Sequence, residues 1–168
     1  MALYDEFVPP LSHALKGLSA ILAKAEAHAE AKKIDPSVLL SARLYPDMFA
    51  FTRQVQVACD QARRAIARLK GQEPESVPDT ETTFADLRAR IAGTVAALEA
   101  VKPGDFDGAE ARTITFKAGP AEMSFKGLDY IRSWILPNFY FHKTAAYAIL
   151  RHNGVELGKK DYLGPPPE

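Results

Sequence analysis

Histidine is the side chain in this 168-residue sequence best suited to metal binding or to acid–base chemistry near neutral pH, and it occurs four times. His13 and His28 lie in one predicted helix, where their spacing separates them by about 22 Å at 1.5 Å per residue. His142 and His152 are separated by about 15 Å on the same basis. Neither pair can share one ion, so no more than two imidazoles, one from each end of the chain, could converge on a site.

His142 has the most unusual surroundings, because it ends the aromatic run Asn138-Phe-Tyr-Phe-His142 instead of lying among charged residues. Asn138 precedes it by one helical turn, so the amide and the imidazole point to the same side of a helix. A partly buried histidine most often hydrogen-bonds a neighbouring polar group. The alternatives for His142 are a role as metal ligand or catalytic base, or a place in an interface.

Polar residues of the second predicted helix could face His142 across the protein. Asp47 and Gln54 are two turns apart, which puts both on one side of that helix. Pro137 removes a helical hydrogen-bond donor and favours a local opening of the packing. We therefore predict a small pocket lined by Asp47, Gln54, Asn138, Tyr140, Phe141 and His142. Alternatively, these groups are half-exposed or satisfy one another, with Asp47 stabilising the first helical turn.

Other reactive side chains give weaker indications. Cys59, the single cysteine, excludes an intramolecular disulfide and lies on an apolar stripe, where an inert, packed thiol is expected. The basic cluster Arg63-Arg64, Arg68 and Lys70 has no interleaved aromatic residues and is expected to be a solvated face. Glycine-rich phosphate loops, paired zinc cysteines and the common hydrolase motifs do not occur in the sequence.

Four amphipathic helices are predicted to position these residues. The first begins or kinks at Pro9-Pro10 and ends near Lys32, with an apolar stripe at alternating spacings of four and three. Asp35-Pro36 then predicts the start of a short helical segment. The second long helix follows the break at Tyr45-Pro46 and ends before Gly71; its stripe is Phe51, Val55, Ala58, Ala62, Ile66 and Leu69.

The third predicted helix opens with Thr83 and Asp86 in capping-box spacing and stops at Lys102-Pro103-Gly104. A change to strict alternation of polar and apolar residues then predicts a β-hairpin. Two strands are only marginally stable alone, so the apolar hairpin residues should pack on the helices; they are Ile114, Phe116, Met123 and Phe125.

The fourth predicted helix runs from about Leu128 to Arg151, with an interruption or kink at Leu136-Pro137. Apolar residues surround most of it, as expected of a helix covered on more than one side. The proline-rich tail from Gly158 to Glu168 is expected to be irregular. Together these elements predict an all-α four-helix bundle with a small β-hairpin inserted between the third and fourth helices.

Composition and charge narrow the function classes. The 21 Lys and Arg balance 21 Asp and Glu, so no net charge would draw the protein to nucleic acid or to an anionic membrane. The longest unbroken apolar run, from Ala145 to Leu150, is too short to cross a bilayer, and the N-terminus lacks the features of a signal peptide. We expect a single domain over residues 1–168, located in the cytoplasm.

The most distinctive stretches of the sequence are Arg43-Leu-Tyr-Pro-Asp-Met48 leading to Phe51-Thr-Arg-Gln-Val55, Leu136-Pro-Asn-Phe-Tyr-Phe-His142, Tyr147-Ala-Ile-Leu-Arg-His-Asn-Gly154 and Asp161-Tyr-Leu-Gly164. Over nearly the whole chain, these stretches resemble a bacterial family of unknown function in the DinB/YfiT-like superfamily. The resemblance implies an up-down-down-up four-helix bundle and frequent homodimers. For the superfamily it also implies metalloenzymes, some of them thiol-dependent transferases.

Metal-binding members of the superfamily use one histidine on the second helix and a His-x-x-x-His pair on the fourth, and this sequence departs from that pattern. His142 resembles the second histidine of the pair, but Asn138 stands at the first position and the second helix has no histidine. Amides bind zinc or nickel less well than imidazole does. We therefore interpret the protein as a homodimeric bundle whose metal site has become a polar pocket, with a small-molecule-binding or structural role. The alternative is a metal-dependent hydrolase or thiol transferase that uses His142.

Overall fold

Helices make up most of the computed structural model, which describes residues 2–166. In chain order the elements are α1 (Leu3–Lys32), α2 (Pro36–Leu40), α3 (Phe51–Leu69), α4 (Phe84–Ala100), β1 (Thr113–Ala118), β2 (Ala121–Lys126), α5 (Gly127–Asp129), a π-helical turn (Tyr130–Ile135), α6 (Leu136–His152) and α7 (Lys159–Leu163). Short 3₁₀ turns cover Pro103–Phe106 and Ala109–Ala111. The predicted helical bundle with a hairpin before its last long helix is confirmed.

The four long helices pack in the order α1, α4, α3, α6, and α6 in turn contacts α1. Their inward faces form one apolar core, in which Phe51 of α3 contacts Phe84 of α4 with 5.9 Å between ring centroids. None of the helices in residues 2–166 has the apolar length that a bilayer crossing would need. The contact between α3 and α6 is the one that positions the candidate site.

The first helix starts earlier than its prolines indicate. α1 begins at Leu3 and contains Pro9 and Pro10, so the prediction of a start at the prolines is wrong. Each proline costs the hydrogen bond to the carbonyl four residues earlier. Leu3, Phe7 and Val8 are buried in the core, and this tertiary packing outweighs the local cost.

The second long helix starts later than predicted. α3 begins at Phe51, and residues 41–50 form the loop before it. The Phe51 amide donates to the Ala42 carbonyl at 2.9 Å and ties the helix start to the beginning of this loop. Asp47 therefore lies in an exposed turn, and its predicted helical position two turns before Gln54 is wrong. The proline break delays the helix until the apolar stripe begins at the fully buried Phe51.

Local capping signals in the sequence are confirmed. The Ser37 amide donates to Asp35 Oδ1 at 2.9 Å at the start of α2. At the start of α4, the Asp86 amide donates to Thr83 Oγ1 at 3.0 Å, and the Thr83 amide donates back to Asp86 Oδ2 at 2.9 Å. These reciprocal bonds satisfy amides that have no partner within the helix.

The hairpin packs on the bundle through aromatic rings, as predicted. β1 and β2 are antiparallel, and Phe116 lies opposite Met123 in their register. The Phe116 ring centroid lies 5.2 Å from that of Trp134 and 5.5 Å from that of Tyr130. Arg68 of α3 places its Cζ 4.1 Å from the Phe116 ring centroid, so this arginine belongs to the hairpin contact and not to a solvated face. Met123 is half-buried.

Pro137 is the second residue of α6, directly after the π-helical turn. The predicted interruption near Leu136 therefore takes the form of a π-helical turn within a continuous helical stretch, because Ile135 and Leu136 keep helical backbone angles. Pro137 lacks the amide that would bond a carbonyl of the preceding turn, and a π-helical turn is one way in which a helix accommodates such an interruption. The fourth helix of the bundle is thus built from α5, the π-helical turn and α6 in succession.

The C-terminal tail contains a helix, contrary to the prediction of irregular structure. α7 is fixed by contacts from two long helices: Lys143 Nζ donates to the Tyr162 carbonyl at 2.7 Å, and His13 Nε2 lies 2.7 Å from the Leu163 carbonyl. Such tertiary contacts stabilise a helix too short to form alone. The end of the predicted tail, residues 167–168, lies outside the described residues.

Candidate functional site

Gln54 and His142 meet where α3 packs against α6. His142 Nδ1 lies 2.7 Å from Gln54 Oε1. Both side chains are buried, with 8% of His142 and 1% of Gln54 exposed. Gln54 lies in the first turn of α3 and His142 in the second turn of α6, so helix packing sets the distance between them. The structure thus brings together two of the predicted pocket residues that are far apart in sequence.

The hydrogen bonds of Gln54 determine the tautomer of His142. Gln54 Nε2 donates to the Phe49 carbonyl at 3.2 Å, so Oε1 is the atom that faces the imidazole. An amide oxygen can only accept, and His142 Nδ1 must therefore be the protonated nitrogen. In the neutral ring, Nε2 then has a lone pair, and within residues 2–166 it has no hydrogen-bond partner.

The surroundings of His142 favour the neutral imidazole. Burial lowers the pKa of His142 below its ordinary value of 6.5, and the positive charge of Arg53 lowers this pKa further. The Phe49 ring contacts both groups: it stacks on His142 with 6.3 Å between centroids, and Arg53 Cζ lies 5.7 Å from its centroid. At neutral pH, His142 Nε2 is therefore a hydrogen-bond acceptor and a base.

An open apolar groove lies between α6 and the 41–50 loop, and one of its lining residues, Phe141, contacts the His142 ring. Its volume is about 430 Å³, and its lining residues are Leu44, Met48, Pro137, Tyr140, Phe141, Thr144, Ala145 and Ala148. Phe141 is 58% exposed, and its ring stands edge-on to the imidazole with 5.2 Å between centroids. Arg43 Nη1 donates to the Met48 carbonyl at 2.7 Å and holds the loop side of the groove. Contiguous exposed apolar surface is a common feature of interaction sites in proteins.

Within residues 2–166, the other predicted pocket residues make no side-chain hydrogen bond to Gln54 or His142. Asn138 donates through Nδ2 to the Trp134 carbonyl at 2.7 Å, one turn further from His142 along the chain. Tyr140 and Phe141 line the apolar groove. Asp47 lies in the exposed loop and not on α3. Gln54 is thus the predicted residue that hydrogen-bonds His142, and Phe141 contacts the imidazole through its ring.

The side chains at this site do not fit a transition-metal centre of the kind the superfamily implies. Within residues 2–166, no group of three or more His, Cys, Asp or Glu side chains is placed to hold an ion. On α3, the residue that faces His142 is Gln54, and an amide oxygen is a poor ligand for zinc or nickel. On the α3 side, the imidazole therefore meets a hydrogen-bond partner. A metal site would need further metal ligands there.

Sequence reasoning missed Phe49 and Arg90. Phe49 lies in the 41–50 loop, where no periodicity indicates its contacts. For Arg90 the helical spacing does give an indication. It comes three residues after Leu87 and four before Thr94, and both of those residues are buried. That spacing puts Arg90 on the inward face of α4, where its side chain is 3% exposed and pairs with carboxylates.

Cys59 takes no part in the site. It is fully buried on α3, and burial raises the pKa of its thiol to about 12. A thiol with this pKa stays protonated at neutral pH and is a poor nucleophile. This burial agrees with the packed, inert thiol that the sequence predicts.

Comparisons with known proteins agree with this structure. A family model described as a domain of unknown function (DUF1993) matches residues 3–163. The crystal structure of a DinB family member protein from Shewanella denitrificans is similar over 99% of this chain and 94% of that chain, with 48% sequence identity and a TM-score of 0.91. No curated protein matches the chain. The predicted resemblance is confirmed: the chain belongs to the DUF1993 family and has a DinB-like fold.

Proposed function

We propose that this protein binds a small, largely apolar molecule that carries one hydrogen-bond donor. His142 Nε2 accepts from that donor, the rings of Phe49 and Phe141 flank it, and the apolar groove takes the rest of the molecule. The observation that supports this proposal is the state of the imidazole: Nδ1 is bound to Gln54, and Nε2 has no partner within residues 2–166. A lone acceptor next to apolar surface orients a ligand that the surface itself attracts.

The proposal also gives a reason for the departure from the superfamily's metal pattern. When a histidine binds a metal through one nitrogen, the other N–H commonly donates to an oxygen acceptor. Gln54 Oε1 is such an acceptor, so the imidazole keeps the orientation of a ligand although the further ligands are not gathered around it. We infer that the site has changed from metal binding to hydrogen bonding.

Phenol and anisole distinguish the hydrogen bond from general apolar binding. Both have an aromatic ring, but only phenol can donate to Nε2. Phenol should shift the ¹⁵N resonance of His142 Nε2 with saturation, and anisole should bind roughly tenfold more weakly, since one hydrogen bond contributes about 1 kcal/mol or more. The other three histidines act as internal controls in the same spectra.

Two variants in one loop localise the binding. Phe49→Ala removes the ring that stacks on His142 and should weaken phenol binding. Tyr45→Ala removes a more exposed ring from the same loop, away from the groove lining, and should leave the affinity unchanged. Equal affinities for phenol and anisole, or no shift of His142, would overturn the proposal.

A metal-dependent hydrolase or thiol transferase that uses His142 is the alternative function. The unpaired Nε2 favours it, because the neutral nitrogen is the form that binds metals. Elemental analysis of protein purified without a histidine tag tests it directly. Zinc or nickel at one ion per chain would support the enzyme, whereas phenol binding without stoichiometric metal would support the binding protein.

A further inference from the structure

A polar cavity, separate from the apolar groove, lies on α3 under the connection between α3 and α4. Arg53, Asp60, Arg63 and Arg64 line it from the helix, at spacings that place them on one side of α3. The connection covers this face and contributes the remaining lining residues, which are Glu75, Ser76, Val77 and Asp79. The cavity is partly open and has a volume of about 170 Å³, and three of its eight lining residues are arginines.

Arg90 of α4 fixes the acidic side of this cavity. Its Nη2 lies 2.7 Å from Asp60 Oδ1 and 3.1 Å from Asp79 Oδ1, and its Nη1 lies 2.9 Å from Glu81 Oε1. Arg53 donates to the other oxygen of Asp79 at 2.5 Å. The two aspartates that line the cavity are therefore held by arginines and do not face it as free negative charges.

The cavity lining also has unused cationic donors. Arg64 Nη2 lies 3.7 Å from Asp60 Oδ2, which is an ion pair without a hydrogen bond. Arg63 is half-buried and makes neither an ion pair nor a side-chain hydrogen bond within residues 2–166. A guanidinium group has five N–H donors, so most of the donors on these two side chains are available to a ligand.

We propose that this cavity binds a small oxyanion, a phosphate or a carboxylate, through the guanidinium groups of Arg63 and Arg64. Paired N–H donors of a planar guanidinium match the geometry of both anions. Asp60 and Asp79, fixed by Arg90, pair with Arg64 and Arg53 of the cavity lining. The site is separate from His142, so this inference does not depend on the proposed function.

Removing the charge of Glu75 should change the anion affinity in the opposite direction to removing the charge of Arg63. Glu75 is exposed, lines the cavity, and makes no ion pair within residues 2–166. Its carboxylate repels an incoming anion. Glu75→Gln should therefore tighten anion binding several-fold, whereas Arg63→Gln should weaken it roughly tenfold, the loss expected for a charge-assisted contact.

The experiment is a titration with inorganic phosphate, and separately with succinate, at constant ionic strength set by sodium chloride. The arginine Nε–Hε signals of Arg63 and Arg64 are followed by NMR, and Arg151→Gln is the control because Arg151 is an exposed arginine on α6. We expect saturating shifts that Arg151→Gln leaves unchanged. The tighter of the two anions identifies the ligand class.

A second readout comes from Arg53, whose charge lowers the pKa of His142. An anion bound beside Arg53 offsets that charge, so the pKa of His142 should rise when the cavity fills. Shifts that do not saturate, shifts of equal size with sodium chloride alone, or equal affinities for Arg63→Gln and Glu75→Gln would each overturn the proposal.

Discussion

The hydrogen bond between Gln54 and His142 fixes the tautomer of the imidazole, because the amide oxygen accepts from Nδ1, and it adds no negative charge that would stabilise an imidazolium. Gln54→Glu places a carboxylate at that position. We expect this substitution to raise the pKa of His142, measured by NMR titration of its ring protons. Gln72→Glu adds the same charge at an exposed position and should have no effect. An unchanged pKa in Gln54→Glu would contradict the assigned contact.

Lys143 is a buried cation whose charge is costly to the folded state. Burial lowers its pKa from 10.5 to about 8, so between these values the unfolded chain binds more protons than the folded one. The contribution of Lys143 to stability therefore rises with pH in this range. Lys143→Met removes this pH dependence, so the wild type should gain free energy of unfolding relative to this variant between about pH 8 and 10.5.

Urea unfolding at several pH values measures that difference. Lys159→Met is the matched control, because Lys159 is an exposed lysine on α7. The difference between the wild type and Lys159→Met should stay constant over the same pH range. A constant difference for Lys143→Met as well would show that the buried amine does not titrate there.

At the level of the elements, the junction between the hairpin and the fourth helix depends on Gly127. A Cβ at this position would overlap the carbonyl oxygen of Ala109 and lie 3.2 Å from Leu69 Cδ2. We expect Gly127→Ala to destabilise the protein by about 1–3 kcal/mol, because backbone must move. At Gly93 of α4, a Cβ would meet nothing within 4 Å, so Gly93→Ala should stabilise by about 0.5–1 kcal/mol. Urea unfolding measures whether the free energy of unfolding falls in Gly127→Ala and rises in Gly93→Ala.

The sequence predicts those elements whose signals are local. The cap at Thr83 and Asp86 and the stripe starting at Phe51 specify α4 and α3, because both patterns act within a turn or two. The start of α1 and the existence of α7 depend on contacts made by other helices. Buried Phe7 outweighs the two prolines, and Lys143 fixes α7 from α6. Single-sequence patterns do not contain such contacts.

Like the elements, the candidate site is predicted only in part from the sequence. Helical spacing places Gln54 and His142 on facing helices, and the structure joins them. The same reasoning misplaced Asp47, because a loop replaced the first helical turn that it assumed. Arg63 belongs to a basic cluster that sequence alone assigns to solvent. The connection that covers it has no periodic pattern, so its position could not be predicted.

At the scale of the whole molecule, one region of the surface is unusually apolar. The exposed large apolar side chains include Leu44, Tyr45 and Phe49 of the 41–50 loop and Tyr140 and Phe141 of α6. The buried core uses the opposite side of α6, through Phe139, Ala146 and Ile149, so this surface is additional to what the bundle needs. A second copy of the chain that covered it would also enclose the space beside His142.

We propose that the protein is a homodimer through this apolar surface, because removing apolar area from water drives such association. Light scattering at micromolar concentration should give twice the chain mass of 18.4 kDa. Phe141→Glu places a charge in the centre of the surface and should give the monomer mass without unfolding, because this side chain is 58% exposed in one copy. Leu163→Glu adds the same charge at a similarly exposed apolar residue on α7 and should leave the dimer intact. A wild-type mass of one chain would rule out the dimer, and dissociation of Leu163→Glu alone would place the interface at α7 instead.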